Sequence, residues 1–159
     1  MRAIPTSYNG YLFRSRLEAR WAVFFDHLGI DYRYEPEGYD LNRTWYLPDF
    51  LLKSARTPTW VEIKADNPTS SEKRKLADLC CESKSFGSFF VDTPGDHWML
   101  HYLPSRDCFS TDPPIKLIPH ISEIADLSLY LNTPLDGNNF LDAIRAARAA
   151  HFEFQEDPF

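Results

Sequence analysis

Residues 45–65, W-Y-L-P-D-F-L-L-K-S-A-R-T-P-T-W-V-E-I-K-A, constrain the fold more than any other stretch of the chain. Two apolar runs, Trp45 to Leu52 and Thr59 to Ala65, flank a polar turn, which is the pattern of a β-hairpin. On a strand, every second side chain shares a face, so Glu62 and Lys64 project together while Val61 and Ile63 point into a core. With Ser54 to Thr57 as the loop, Lys53 falls opposite Pro58 and Asp49 opposite Glu62. Like charges directly opposed in a sheet are destabilising, and a bound divalent cation between them is one remedy. A neutralising Lys64 on a solvated face is the plainer alternative. Pro48, which belongs at a strand start, edge or bulge, predicts a bend that re-aims Asp49.

The 159 residues suit one domain spanning 1–159 with a real core, and 43% are hydrophobic and 15% aromatic. No run approaches the roughly 20 apolar residues of a membrane span. The start of the chain shows no apolar signal-peptide core, and Cys80, Cys81 and Cys108 form no C-x-x-C. The expectation is reduced, packed thiols in a cytoplasmic protein. The net charge of −6 argues against a passive nucleic-acid coat. It is uneven: residues 1–84 carry 13 Lys and Arg against 12 Asp and Glu, while residues 85–159 carry 4 against 11.

Residues 8–14 read as a turn leading into a helix from about Ser15 to Leu28, closed by Gly29. Leu17, Trp21, Phe24, Phe25 and Leu28 form its apolar stripe. At about 100° per residue, Glu18 falls at the edge of that stripe rather than on the solvent face. Ser15-Arg-Leu-Glu18 also matches the capping box S-x-x-E, so Glu18 has a structural role open to it as well as a functional one.

Residues 31–41 read as a strand with a bulge or edge at Pro36 and Gly38. After the hairpin, Ser70 or Ser71 opens a helix from Glu72 to about Ser83, whose Lys73, Arg74 and Lys75 form a solvated face or touch phosphate. Phe86–Val91 and Trp98–Leu103 read as further strands joined by Thr93-Pro-Gly-Asp96. His97 and His101 read as structural. Residues 104–120 are a proline-rich connector, Ile121–Leu131 a helix, and a last helix runs from Asn138 or Asn139 to about Phe152 with Leu141, Ile144, Arg148 and Phe152 on one stripe. Arg145 and Arg148 either clamp a phosphate or pair with acids such as Asp142.

The order helix with Glu18, strand, strand with Pro48-Asp49, strand with Glu62-Ile63-Lys64, helix, strand resembles the PD-(D/E)XK nuclease superfamily, especially its small phage and mobile-element endonucleases. The matching region is about residues 8–103, and the C-terminal extension 104–159 lies outside it. The resemblance implies an α/β fold: a central mixed β-sheet of about five strands flanked by helices, with a restriction-endonuclease-like core and a helical C-terminal extension. It implies Mg²⁺ or Mn²⁺ held by Asp49, Glu62, the Ile63 carbonyl and Glu18, with Lys64 acting on the attacking water and the transition state. The catalytic set is then Glu18, Asp49, Glu62 and Lys64, and Arg14, Arg16, Lys73 and Lys75 are candidate DNA contacts. The implied partner is DNA, with no membrane, and with a second copy or a partner protein compatible. The second helix lacks the Q-x-x-x-Y of exonuclease-like members. Two rival functions use other features: a nuclease-derived module that binds DNA or protein without cutting, and an inhibitor whose acidic second half mimics DNA.

Overall fold

The computed structural model describes residues 3–41, 43–53, 58–103, 108–111 and 137–152. Its centre is a mixed sheet of six strands: β3 (Tyr32–Tyr34), β6 (Phe50–Leu52), β7 (Thr59–Lys64), β8 (Phe86–Val91), β9 (Trp98–Leu103) and β10 (Cys108–Thr111). The spatial order is β10-β9-β8-β7-β6-β3; only β7 and β8 run parallel. Helix α2 (Ser70–Ser83) makes the crossover between them, as a parallel pair requires. The architecture is therefore α/β with a mixed central sheet and three described helices, the last of them C-terminal. The sixth strand, β10, lies where the proline-rich sequence predicts only an irregular connector. The expected helix 121–131, the hairpin loop 54–57 and most of 104–136 lie outside the described residues.

Two apolar layers cover the sheet. On one face, Phe50, Leu52, Val61, Ile63, Phe90 and Met99 pack against α1 (Arg16–His27) and α3 (Gly137–Ala149). On the other, Trp60, Phe89, Val91, Leu100 and Tyr102 pack against Leu76, Leu79 and Cys80 of α2. The alternation W-V-E-I-K thus separates the two layers as the sequence predicts.

The boundaries differ from the expectations at four places. Asn9 and Gly10 both take positive φ (48° and 81°) and close a hairpin of β1 (Thr6–Tyr8) and β2 (Tyr11–Phe13) ahead of α1. Residues 31–41 are two strands rather than one. Glu35 adopts a left-handed φ of 44°, after which β4 (Tyr39–Leu41) pairs with β5 (Thr44–Tyr46) in a separate two-stranded sheet. The run Trp45–Leu52 also divides, at Leu47-Pro48-Asp49, so the proline bend is real and large enough to move β5 out of the main sheet. Finally, α3 buries a different stripe from the expected one. Its buried stripe is Phe140, Ala143, Ile144 and Ala147, not Leu141, Arg148 and Phe152 with Ile144, and it belongs to the main core.

A cation fastens that last helix. The Arg20 guanidinium donates to the carbonyls of Ala147, Arg148 and Ala150 at 2.8, 3.1 and 3.2 Å, satisfying orphan acceptors at the C-terminus of α3. Arg148 pairs with Asp96 at 3.0 Å, and Arg145 reaches Asp142 at 3.6 Å, so the acid-pairing alternative describes both arginines. His97 accepts the Gly95 amide and lies edge-on to Trp21, and His101 bonds Ser88, which makes both structural. Among the described residues no helix is long and apolar enough to cross a membrane.

Gly87 marks the closest approach of α2 to the sheet: a Cβ there would lie 2.4 Å from Cys80 Sγ and 3.1 Å from Leu76 Cγ. Gly87→Ala should therefore cost about 1–3 kcal/mol by overpacking. Denaturant midpoints of the two proteins measure it, and an unchanged midpoint would show that α2 has room to move.

Candidate active site

The β6–β7 register pairs Phe50 with Val61, Leu51 with Trp60 and Leu52 with Thr59. Continued by one residue, it sets Asp49 opposite Glu62, as the sequence predicts. Each carboxylate is then tied to a main-chain amide of the facing strand. The Asp49 amide donates to Glu62 Oε1 at 3.1 Å, and the Ile63 amide donates to Asp49 Oδ2 at 2.8 Å. Just beyond the bend, side chains thus satisfy amides that a continuous strand would have paired with carbonyls. Each carboxylate uses one oxygen in these bonds. The Ile63 side chain is buried in the core, so only its backbone can face the site.

Glu18 arrives from α1 and combines its two expected roles. Its amide donates to the Ser15 hydroxyl at 3.1 Å, which is the N-cap half of a capping box. Its carboxylate, however, turns toward the site and accepts from the Arg14 amide at 3.0 Å and from the Tyr34 hydroxyl at 2.7 Å. At 8% exposure it is a buried acid.

These three carboxylates perturb one another. Burial pushes the Asp49 carboxyl well above its ordinary range, the charges of Glu62 and Glu18 push it further, and the Ile63 amide opposes them. Burial raises Glu62 from 4.5 to about 7, against the pull of the Tyr46 hydroxyl, the Asp49 amide and Lys64. Burial likewise raises Glu18, against the bonds from Tyr34 and the Arg14 amide. The three carboxyls titrate together and hold their protons more tightly than free carboxyls do, chiefly because burial penalises their charged forms and then because they repel one another.

The basic residues near it are committed elsewhere. The Lys64 ammonium pairs with Glu72 on α2 rather than neutralising Glu62 directly. Arg14 pairs with Glu35 at 2.6 Å and is largely exposed. Arg16 is exposed on the first turn of α1, and Lys73 and Lys75 are half-buried on α2 immediately after Glu72. The structure thus brings Glu18, Asp49 and Glu62 together, sets Lys64 beside them in an ion pair, and distributes the four candidate DNA contacts over two helix starts.

Three participants escape sequence reasoning: Tyr34, which holds Glu18; Tyr46, buried beside Glu62; and Glu72, which holds Lys64. Only Glu72 carries a local signal, the capping box Thr69-Ser-Ser-Glu72. The Tyr46 hydroxyl is buried without a hydrogen bond of full geometry, although it lies close enough to Glu62 to bear on its charge.

Among the described residues no group of three or more His, Cys, Asp or Glu side chains is placed so that it could hold a metal ion. The donor chemistry nevertheless fits a hard divalent cation. The acids supply oxygen ligands only, they carry unbalanced charge, and the orphaned Tyr46 hydroxyl would gain a partner from a hydrated ion. No protein-family model, curated protein or solved structure matches the chain.

The raised Glu62 has a consequence for the metal-free protein. Its folded form binds the proton more tightly than the unfolded form, so the stability that Glu62 contributes is full below pH 4.5 and is lost as pH rises through about 7. Glu62→Gln removes this dependence. The stability difference between wild type and Glu62→Gln, measured in chelator by denaturant titration, should shift against wild type across that window, on the order of 1–3 kcal/mol. A difference that stays constant with pH would mean that Glu62 is ionised at no cost.

Proposed function

We propose that the protein is a divalent-metal-dependent endonuclease that hydrolyses DNA phosphodiester bonds on a restriction-endonuclease-like core. The observation that carries this reading is the bonding of Asp49 and Glu62 across the hairpin, which holds two half-buried carboxylates side by side with the buried Glu18 next to them. A fold gains nothing in stability from such a cluster, whereas a cation site needs it. Asp49 and Glu62 would hold Mg²⁺ or Mn²⁺, with the Ile63 carbonyl and Glu18 as further oxygen donors. When bound, the ion supplies Lewis-acid polarisation of the phosphate and a water of lowered pKa.

The chain's own residues do the rest. Tyr34 and the Arg14 amide fix Glu18, and the Ile63 amide fixes Asp49, so the carboxylates are oriented before substrate arrives. Lys64 brings a positive charge to the side of Glu62 that faces α2, where it can stabilise negative charge growing on the phosphate. Arg14 and Arg16 at the start of α1, with Lys73 and Lys75 at the start of α2, would receive flanking phosphates.

Supercoiled plasmid should be cleaved in Mg²⁺ or Mn²⁺ and left intact in chelator. Calorimetric titration should show divalent binding to wild type and none to Asp49→Ala; equal binding by the variant would remove Asp49 from the site. Ca²⁺ should bind yet support little cleavage, because its larger and looser shell places water poorly.

Glu18→Gln separates the two roles of that residue. The Ser15 hydroxyl still receives the residue 18 amide, so the helix start is preserved, while the negative charge is gone. Its melting temperature should stay near wild type while cleavage falls roughly 100-fold or more. A fully active Glu18→Gln would confine the machinery to Asp49, Glu62 and Lys64.

A further inference from the structure

We propose that Glu72 is a positioning residue: it holds the Lys64 ammonium in place for the reaction and does not touch the substrate itself. The inference rests on the nuclease reading and adds a component to its site.

The Glu72 carboxylate is divided between two partners. Oε1 accepts the Thr69 amide at 3.0 Å, while the Thr69 hydroxyl accepts the Glu72 amide at 3.1 Å, completing a capping box. Oε2 faces the Lys64 ammonium. A capping-box glutamate normally ends its work at the helix start; here its second oxygen reaches back to the strand that carries the site. The lysine is held at its other end too. Its carbonyl accepts the Asp92 amide at 2.8 Å, and its backbone pairs with Val91 in the parallel ladder.

A lysine side chain left to itself samples many rotamers, at an entropy of about 2 kcal/mol. Here both ends are fixed, and both side chains are about 30% exposed, so water does not screen the pair as it would on the open surface. Burial alone would raise the Glu72 carboxyl, but the bonds from Lys64 and Thr69 outweigh it and keep the group ionised. The carboxylate therefore acts as a fixed counter-charge, about which the ammonium is held beside Glu62.

The plainer account is that Glu72 only caps α2. Glutamine distinguishes the two. A Gln at this position still completes a capping box, but its amide nitrogen is a donor and cannot accept from an ammonium. Glu72→Gln therefore keeps the helix start and releases Lys64. Thr69→Ala is the opposite change: it removes the cap hydroxyl and leaves the Glu72 charge in place.

The experiment is a double-mutant cycle on plasmid cleavage with Lys64→Ala, Glu72→Gln and the double variant, with Thr69→Ala alongside. Melting temperatures are measured throughout, as is DNA binding in Ca²⁺. Glu72→Gln should melt near wild type, bind DNA normally, and lose roughly tenfold or more in kcat with little change in KM. In the Lys64→Ala background the same change should cost nothing further. Thr69→Ala should be less stable but keep its rate. An additive cycle, a fully active Glu72→Gln, or a Thr69→Ala that slows as much as Glu72→Gln would each overturn the proposal. So would a Glu72→Gln too unstable to fold beside a stable Thr69→Ala, since Gln would then have failed as a cap. A wild type that cleaves in none of these conditions takes the nuclease reading down as well; one that cleaves beside an additive cycle removes only the role of Glu72.

Discussion

Asp49 and Glu62 exchange bonds across the end of the β6–β7 hairpin, and the arrangement around them follows from that exchange. Two carboxylates opposed on one face of a sheet repel. Here each is tied to an amide of the partner strand, the Glu62 carboxylate to the Asp49 amide and the Asp49 carboxylate to the Ile63 amide. The bonds are possible because Pro48 ends regular pairing just before Asp49. Without that bend, β5 would continue β6 and the ladder would claim the Asp49 amide. The bend sends β5 into its own sheet with β4 and leaves Tyr46 buried beside Glu62. One proline thus frees the backbone donors that orient the acids and brings a phenol to the site.

The third acid depends on packing far from it. Glu18 can lie against the sheet edge only if α1 is seated firmly. That seat is aromatic: Trp21 against Phe90, Phe25 against Phe50, and Phe24 edge-on to Phe140 of α3. Arg20 then ties α1 to the end of α3. The C-terminal helix therefore helps set the position of Glu18.

What the sequence could disclose was whatever depends on local pattern. The alternation of Thr59–Lys64 and the polar turn at 54–57 were enough to give the hairpin register, and with it the pairing of Asp49 with Glu62. The stripe through Trp21 and Phe25 gave α1 and the edge position of Glu18. What depends on tertiary partners stayed hidden. The Asn9-Gly10 turn was a readable hairpin signal that the following helix overshadowed. The division of residues 31–41 turns on Glu35 at a left-handed φ, which no composition rule demands of a glutamate. The buried stripe of α3 uses small residues, Ala143 and Ala147, whose inward face shows only against α1. Lys64 looked like the neighbour of Glu62 because both lie on one strand face; its actual partner is brought there by the α2 crossover.

The distribution of charge argues for what the acids are for. Lys64 and Arg14 border the cluster, and each is paired with an acid outside it, Glu72 and Glu35. The Lys64 charge lowers Glu62 only in part, so Glu18, Asp49 and Glu62 rest chiefly on amides, phenols and one another. A desolvated acid with too little positive charge beside it can shed the cost by keeping its proton or by binding a cation. The upward displacement of all three carboxyls is the first. A site that merely needed neutral groups would be cheaper to build from amides, which bond the same backbone donors and never ionise. On the nuclease reading proposed above, carboxyls of raised proton affinity would exchange a proton for a divalent ion, and Lys64 and Arg14 at the rim would face the anion bound to it.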